Sequence, residues 1–185
     1  MQDEILQMEL EIESLKAAGA DGFVFGLLTS DGHVDSVNCQ RLVKLCGPLP
    51  VTFHRAFDVC AYWPRALSEI RAAGFSRVLT SGQAKTAYEG RAQIREIQGV
   101  MGEWPNFGLI AGCGVTAKNI GKIVEDTGVD EIHASAKMKV SSKMTRRHSS
   151  VSIGHGTQDD DAIFVTAAGT VAALKNALKS LSIPL

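Results

Sequence analysis

The chain has 185 residues, 45% of them hydrophobic and 21% charged, which is typical of one globular domain of ordinary size. Its 19 basic and 20 acidic residues leave a net charge of -1, which excludes a global electrostatic attraction to nucleic acid or to an anionic membrane. The acidic start is unlike the basic start of a secretory signal, and four cysteines without a short paired spacing predict a reducing, cytosolic setting.

Strand and helix patterns alternate along the chain. Short apolar segments rich in Val, Ile, Phe or Thr and bounded by Gly or Pro predict five strands, at residues 22–29, 51–58, 77–82, 107–115 and 131–136. Apolar residues at helical spacing predict helices at residues 1–18, 37–46, 66–73, 91–100, 120–126 and 171–181. One strand begins about every 27 residues, which favours a parallel sheet with right-handed crossovers.

The number of repeats bears on the fold class. A (β/α)8 barrel of the TIM-barrel type needs about 220–250 residues at this period, whereas five units are present. A helix that opens such a series normally follows a strand, so we expect about three further strands to be encoded upstream of Met1. We therefore predict a single partial barrel domain over residues 1–185. A complete five-stranded flavodoxin-like sheet is the alternative, and the pattern alone does not separate the two.

Five sequence blocks carry a resemblance to a known family. They read ADGFVFGLLTSDGHVD from Ala20, LPVTFHRAFD from Leu49, RVLTSG from Arg77, AGCGV from Ala111 and EIHASA from Glu131. In this order and spacing the chain resembles the CutC family from about residue 4 to about residue 178, and the run PVTFHRAFD is long and specific. The resemblance implies a (β/α) barrel whose fourth to eighth strands are present here. It also implies a homo-oligomeric copper homeostasis protein of the cytoplasm and nucleus that binds Cu+.

One position departs from the family pattern. The family's seventh strand usually ends in three glycines, and here the middle position is Cys113. A side chain therefore projects where the family keeps the backbone bare, which puts a close backbone approach to a ligand at this loop in doubt.

The second strand carries ionisable residues near its end, where barrels of this type place their function. By the two-residue period, we expect Thr52, His54, Ala56 and Asp58 to share the face of the barrel interior. In an enzyme acting on a small phosphorylated or anionic metabolite, His54 would be the acid/base, Asp58 its orienting partner and Arg55 an anion clamp. An ion pair that only fixes the barrel rim is the alternative, and whether the protein is an enzyme stays open.

The ends of the other strands supply candidate ligand-binding residues. They are Thr80, Ser81 and Gly82 on the third strand, Gly112 and Gly114 on the fourth, and His133 and Ser135 on one face of the fifth. The loop through Gly112 and Gly114, with Thr116 as a helix N-cap, fits a backbone phosphate site, although a tight turn explains the same glycines.

Cysteines and one long loop complete the predictions. Cu+ prefers soft thiolate ligands, and Cys60 and Cys113 lie just beyond strand ends, so we expect them to be the metal ligands. Cys39 and Cys46 are about 10 Å apart along one predicted helix, too far to chelate one ion, and we interpret them as buried hydrophobes. Residues 137–161 are predicted as a loop, either a basic lid over an anionic ligand or a solvated loop.

Overall fold

The structure is a computed structural model of the chain, and it describes residues 2–144 and 162–181. The helices are α1 Gln2–Ala17, α2 Ser36–Cys46, α3 Trp63–Ala72, α4 Arg91–Met101, α5 Ile120–Thr127 and α6 Ala168–Lys179. The strands are β1 Phe23–Phe25, β2 Val51–Phe53, β3 Arg77–Thr80, β4 Gly108–Gly112, β5 Glu131–His133, β6 Lys137–Ser141 and β7 Ala162–Thr166. A short 3-10 helix, Arg55–Val59, follows β2. All five strands predicted from the apolar segments are therefore present, each shorter than its segment.

Local chemistry explains where the helices begin and end. Asp35 caps α2, since its carboxylate accepts a hydrogen bond from the backbone N–H of Asn38 at 3.1 Å. The α3 helix carries a proline in its first turn, where no intrahelical donor is lost. Gly19, which follows α1, has φ +90°, a left-handed conformation that suits glycine.

The main sheet contains β1 to β5, all parallel and in their sequence order. A flavodoxin-like sheet has the order 2-1-3-4-5, so that alternative is wrong. In this order, every right-handed crossover adds its strand on the same side of the preceding one, so all the helices lie on one face of the sheet. The order therefore predicts that helices cover one face of the sheet and leave the other uncovered.

The two faces of the sheet differ as this order predicts. On one face Phe25, Phe53, Val78 and Leu109 are buried in a core that the helices complete. On the opposite face Val24 is 63% exposed, although the residue belongs to the sheet. The fold is thus an α/β fold whose hydrophobic core lies between a parallel sheet and its helices.

The chain divides into two compact units, where the sequence predicts one partial barrel domain. The first unit comprises residues up to 115 together with 122–134, and the second comprises 116–121 and the residues from 135 onward. The second unit contains an antiparallel hairpin of β6 and β7, with Lys137 opposite Thr166. The prediction of a loop over residues 137–161 is wrong for Lys137–Ser141, because these residues pair with β7. Residues 145–161 of that loop lie outside the described residues.

Among the described helices, we find none whose length and apolar character would suffice to cross a membrane.

Candidate functional site

The chain turns sharply at the end of β2, and this turn corrects one prediction. We expected Thr52, His54, Ala56 and Asp58 to alternate onto one strand face, but β2 ends at Phe53 and the chain enters the 3-10 helix Arg55–Val59. The two-residue period therefore stops before His54. The 3-10 helix instead places Arg55 and Asp58 three residues apart on one turn, where they form an ion pair.

The carboxylate of Asp58 is the centre of a hydrogen-bond network. Its side chain is only 6% exposed, and it accepts from Arg55 Nε at 2.7 Å and from Thr80 Oγ1 at 2.5 Å. It also accepts from the backbone N–H and the hydroxyl of Ser81, and from the backbone N–H of Gln83 at 3.2 Å. Because a buried charge needs such partners, Asp58 fixes the loop that follows β3 to the turn that follows β2.

The guanidinium of Arg55 is held on one edge and open on the other. Nε donates to Asp58 and Nη2 donates to the hydroxyl of Ser81 at 3.0 Å, yet the side chain remains 43% exposed. Hydrogen bonding to Asp58 raises the pKa of Arg55, so the group is a permanent cation. An arginine held in this way can present its remaining N–H groups to an anion.

Residues 81–85, which we call the 81–85 segment, also contact both candidate metal ligands. The side-chain amide of Gln83 donates to the carbonyl of Cys60 at 3.2 Å and lies 3.7 Å from its sulfur. The thiol of Cys113 donates to the carbonyl of Lys85 at 3.2 Å. The two thiols are far apart in the sequence, yet the residues they contact, Gln83 and Lys85, are only two positions apart.

Close backbone contacts fix the path of the chain around this segment. Gly82 has φ +72°, and a Cβ built on it would lie 2.4 Å from the carbonyl oxygen of Gly90. A Cβ built on Gly90 would lie 1.9 Å from the carbonyl oxygen of Ser81. A side chain at either position would push the two stretches of backbone apart, so glycine is required at both.

Cys113 occupies a backbone conformation that glycine favours, with φ +86°. This agrees with the glycine that the family usually has at this position, and it means that the cysteine side chain is kept there at a cost in backbone strain. Burial raises the pKa of the other thiol, Cys60, whereas Cys113 is half-buried. The carbonyl of Cys113 accepts from the backbone N–H of Ala87 at 3.0 Å, which ties the β4 loop to the β3 loop.

His54 lies apart from the Asp58 network. Its Nδ1 accepts from the backbone N–H of Ala56 at 3.4 Å, and its ring packs edge-on against Phe53. Burial lowers the pKa of His54 and so favours the neutral imidazole. The prediction that Asp58 orients His54 is wrong. The oxygens of Asp58 accept hydrogen bonds from Arg55 and from the loop that follows β3.

The remaining candidates lie at the ends of β4 and β5. Gly112 ends β4, and a Cβ on Gly114 would meet the side chain of Thr86 at 2.7 Å. Thr116 begins the turn that leads into α5, because its carbonyl accepts from the backbone N–H of Ile120 at 3.0 Å and its own N–H donates to Asn119 Oδ1 at 2.8 Å, as at a helix N-cap. His133 ends β5, so it and Ser135 do not share a strand face. Ser135 belongs to the second unit, where its carbonyl accepts from Thr166 Oγ1 at 3.1 Å.

The other two cysteines are placed as predicted, in the helical layer. Cys39 and Cys46 are fully buried on α2, and burial raises the pKa of Cys39 to about 11. In the part of the chain that the structure describes, no three His, Cys, Asp or Glu side chains come together as a metal cluster.

Comparison with known proteins gives one consistent result. The model of the CutC family matches residues 1–138. A copper homeostasis protein cutC homolog of Mus musculus is 45% identical over 151 residues, which is 82% of this chain and 55% of the mouse protein. A family protein CutC of Aliivibrio fischeri is 38% identical, over 96% of this chain and 72% of its own length.

A solved structure agrees with the sequence relatives. The putative copper homeostasis protein CutC of Streptococcus agalactiae superimposes with a TM-score of 0.66 at 30% identity, over 70% of this chain and 63% of the solved one. The resemblance read from the sequence blocks is therefore confirmed. The chain spans 55% of the length of its mouse relative, so what the longer relatives do as whole proteins does not transfer to it directly.

Proposed function

Since the chain belongs to the CutC family, we propose that it acts in copper homeostasis by binding Cu+ through the thiols of Cys60 and Cys113. One observation carries the proposal: both thiols contact the 81–85 segment, through Gln83 and Lys85. Cu+ prefers soft thiolate ligands, and these two lie beyond the carboxyl ends of β2 and β4, the side on which barrel folds carry their function.

The test is an anaerobic titration of the chain with Cu+ against a chromogenic chelator. We expect about one Cu+ per chain, and we expect Cys60→Ser combined with Cys113→Ser to abolish binding. A matched control is Cys39→Ala combined with Cys46→Ala, which removes two thiols buried in the helical layer. If the control pair loses Cu+ and the Cys60/Cys113 pair keeps it, the assignment of the ligands is wrong.

We further propose that β1 to β5 are five consecutive strands of a (β/α) barrel, corresponding to its fourth to eighth strands. The sequential strand order and the exposed Val24 on the face opposite the helices support this, because a (β/α) barrel has its strands in sequence order and its helices on the outer face only, so an unclosed barrel leaves the inner face uncovered. A second chain that completes the sheet would make the protein a homo-oligomer. Sedimentation of the purified chain tests this, and a stable monomer at micromolar concentration would contradict it.

As a second candidate function, the protein binds a small phosphorylated or anionic metabolite in the cytoplasm or nucleus, or catalyses a reaction of it. The observation that favours it is the half-exposed guanidinium of Arg55, held by Asp58 and Ser81. Titration with inorganic phosphate, followed by calorimetry, separates this candidate from the first. Arg55→Gln should weaken phosphate binding, and Cys60→Ser combined with Cys113→Ser should not.

A further inference from the structure

The 81–85 segment contacts a cation as well as two thiols. The hydroxyl oxygen of Ser81 accepts from Arg55 Nη2 at 3.0 Å, and its single proton lies between two acceptors, Asp58 at 3.0 Å and the carbonyl of Ala84 at 2.6 Å. The next carbonyl along, that of Lys85, accepts from the thiol of Cys113. The guanidinium of Arg55 and the thiol of Cys113 are therefore bonded to the same short segment, at Ser81 and at Lys85.

The remaining N–H donors of Arg55 have a defined chemistry. An arginine has five N–H donors, and within the described residues the hydrogen bonds to Asp58 and Ser81 occupy two of them. Those that remain belong to the two Nη atoms, which form the planar fork that matches a carboxylate. Because Asp58 and Ser81 fix the plane of the guanidinium, a carboxylate bound there would lose little side-chain entropy on the protein side.

Cu+ reaches a protein thiol as a complex rather than as a bare ion. Soft thiolates are its preferred ligands, so in a reducing setting small thiols carry it. A complex of Cu+ with two thiolates is an anion, and a carboxylate on the carrier adds further negative charge. Both properties complement a half-exposed guanidinium that is bonded to the same segment as the receiving thiols.

We propose that Arg55 binds the carboxylate of a small carboxylate-bearing thiol that delivers Cu+ to Cys113 and Cys60. This inference rests on the proposed Cu+ binding. The transfer is a ligand exchange in two steps: the two bonds from copper to the carrier sulfurs break, and bonds to the sulfurs of Cys113 and Cys60 form in their place. The protons of the two cysteine thiols pass to the two departing carrier thiolates, and copper remains Cu+ throughout.

The experiment compares two carriers that differ in one group. Cu+ is supplied to the full chain as its complex with mercaptopropionate or with mercaptopropanol, which replaces the carboxylate by an alcohol. Uptake is followed by stopped-flow ultraviolet absorbance of the protein Cu+–thiolate bond. We expect Arg55→Gln to slow uptake from the mercaptopropionate complex about tenfold, the effect of one charge-assisted contact. Uptake from the mercaptopropanol complex should change less than twofold.

Two further variants keep the result interpretable. Arg65→Gln removes a surface arginine on α3 that pairs with Glu69 at 2.8 Å, and it should slow neither carrier. Arg55→Lys retains the charge without the planar fork, so its uptake from the mercaptopropionate complex should be faster than that of Arg55→Gln but slower than that of the unmodified chain. The lysine variant also replaces Arg55→Gln in the experiment if that variant fails to fold.

Equal slowing of both carriers by Arg55→Gln would overturn carboxylate recognition while leaving Cu+ binding intact. Absence of uptake by the unmodified chain from either carrier would overturn both proposals.

Discussion

Each end of the parallel sheet carries an arginine–carboxylate pair, and the surroundings of the two pairs differ. At the carboxyl ends, Arg55 and Asp58 pair at 2.7 Å, and the carboxylate is 6% exposed. At the amino ends, Arg77 and Glu131 pair at 2.8 Å, with side chains 37% and 46% exposed. Similar distances thus occur in a buried network and at an open surface.

The difference lies in what else each carboxylate binds. Asp58 accepts from two hydroxyls and two backbone N–H groups besides Arg55, so it organises the 81–85 segment. Glu131 reaches Arg77 across β4, where Gly108 has no side chain to separate them. An ion pair becomes structurally important when its charge is buried and multiply bonded, whereas an exposed pair is screened by water.

The largest expected effect follows from removing the buried carboxylate. Asp58→Ala leaves the donors of the 81–85 segment unpaired, and we expect the free energy of unfolding to fall by about 3–5 kcal/mol. Urea unfolding measures this loss, with Glu131→Ala as the matched variant at the amino ends. Similar losses in the two variants would remove the distinction between the two ends.

Glycine substitutions sharpen the comparison through the backbone. Gly82→Ala should lower the free energy of unfolding by about 2–4 kcal/mol, because a Cβ there meets a rigid carbonyl at positive φ. Gly108→Ala should cost under about 1 kcal/mol, because its Cβ would meet only the side chains of Glu131 and Arg77, at 3.3 and 3.4 Å. Thermal unfolding of both variants decides, and a larger loss for Gly108→Ala would contradict this account.

A smaller effect, in the opposite direction, is expected at Cys113. Cys113→Gly relieves the left-handed strain and should raise the free energy of unfolding by about 1 kcal/mol. Cys113→Ser retains the strain and is the control. If the glycine variant is less stable than the unmodified chain, the contacts of the Cys113 side chain, including its hydrogen bond to Lys85, outweigh the strain.

The smallest expected effect is that of the exposed pair. Glu131→Gln should change the free energy of unfolding by under about 1 kcal/mol, and the change should shrink further at high salt. Urea unfolding at low and high ionic strength measures it. A loss that salt does not reduce would show that this pair is shielded from solvent, in spite of its exposure.

The sequence predicts the arrangement of strands and helices well because burial against the helices demands apolar, β-branched segments at a regular period. Phe23, Phe25, Val51 and Phe53 fill that core, and their alternation is visible without the structure. The glycines that end helices were also predictable from the sequence, and Gly19 after α1 has the expected positive φ.

Two local features escaped prediction because another pattern concealed them. In Val51–His54 apolar and polar residues alternate as in a strand, which suggested that the strand continues to Asp58, whereas Arg55 and Asp58, three apart, carried the weaker signal of a helical turn. In β6 the charges of Lys137 and Lys139 suggested a loop, although these lysines alternate with Met138 and Val140 as in a strand.

The candidate site was predictable only in part. Asp58, Ser81, Cys60 and Cys113 were identified from their positions after strands, and the structure gathers them on the 81–85 segment. The segment itself had no signal, because it acts mostly through backbone N–H and carbonyl groups, which every sequence possesses. Residue types alone do not show which residues at the strand ends contact the same segment, because this depends on the tertiary structure.

The sequential order of β1 to β5 has a kinetic consequence. Each new strand pairs with the one synthesised just before it, so every ladder closes a loop of about 27 residues rather than one that spans the chain. Loop closure of that length carries a modest entropic cost, and local ladders give a low contact order. The sheet can therefore grow from any adjacent pair of strands, one unit at a time, without waiting for distant segments to meet.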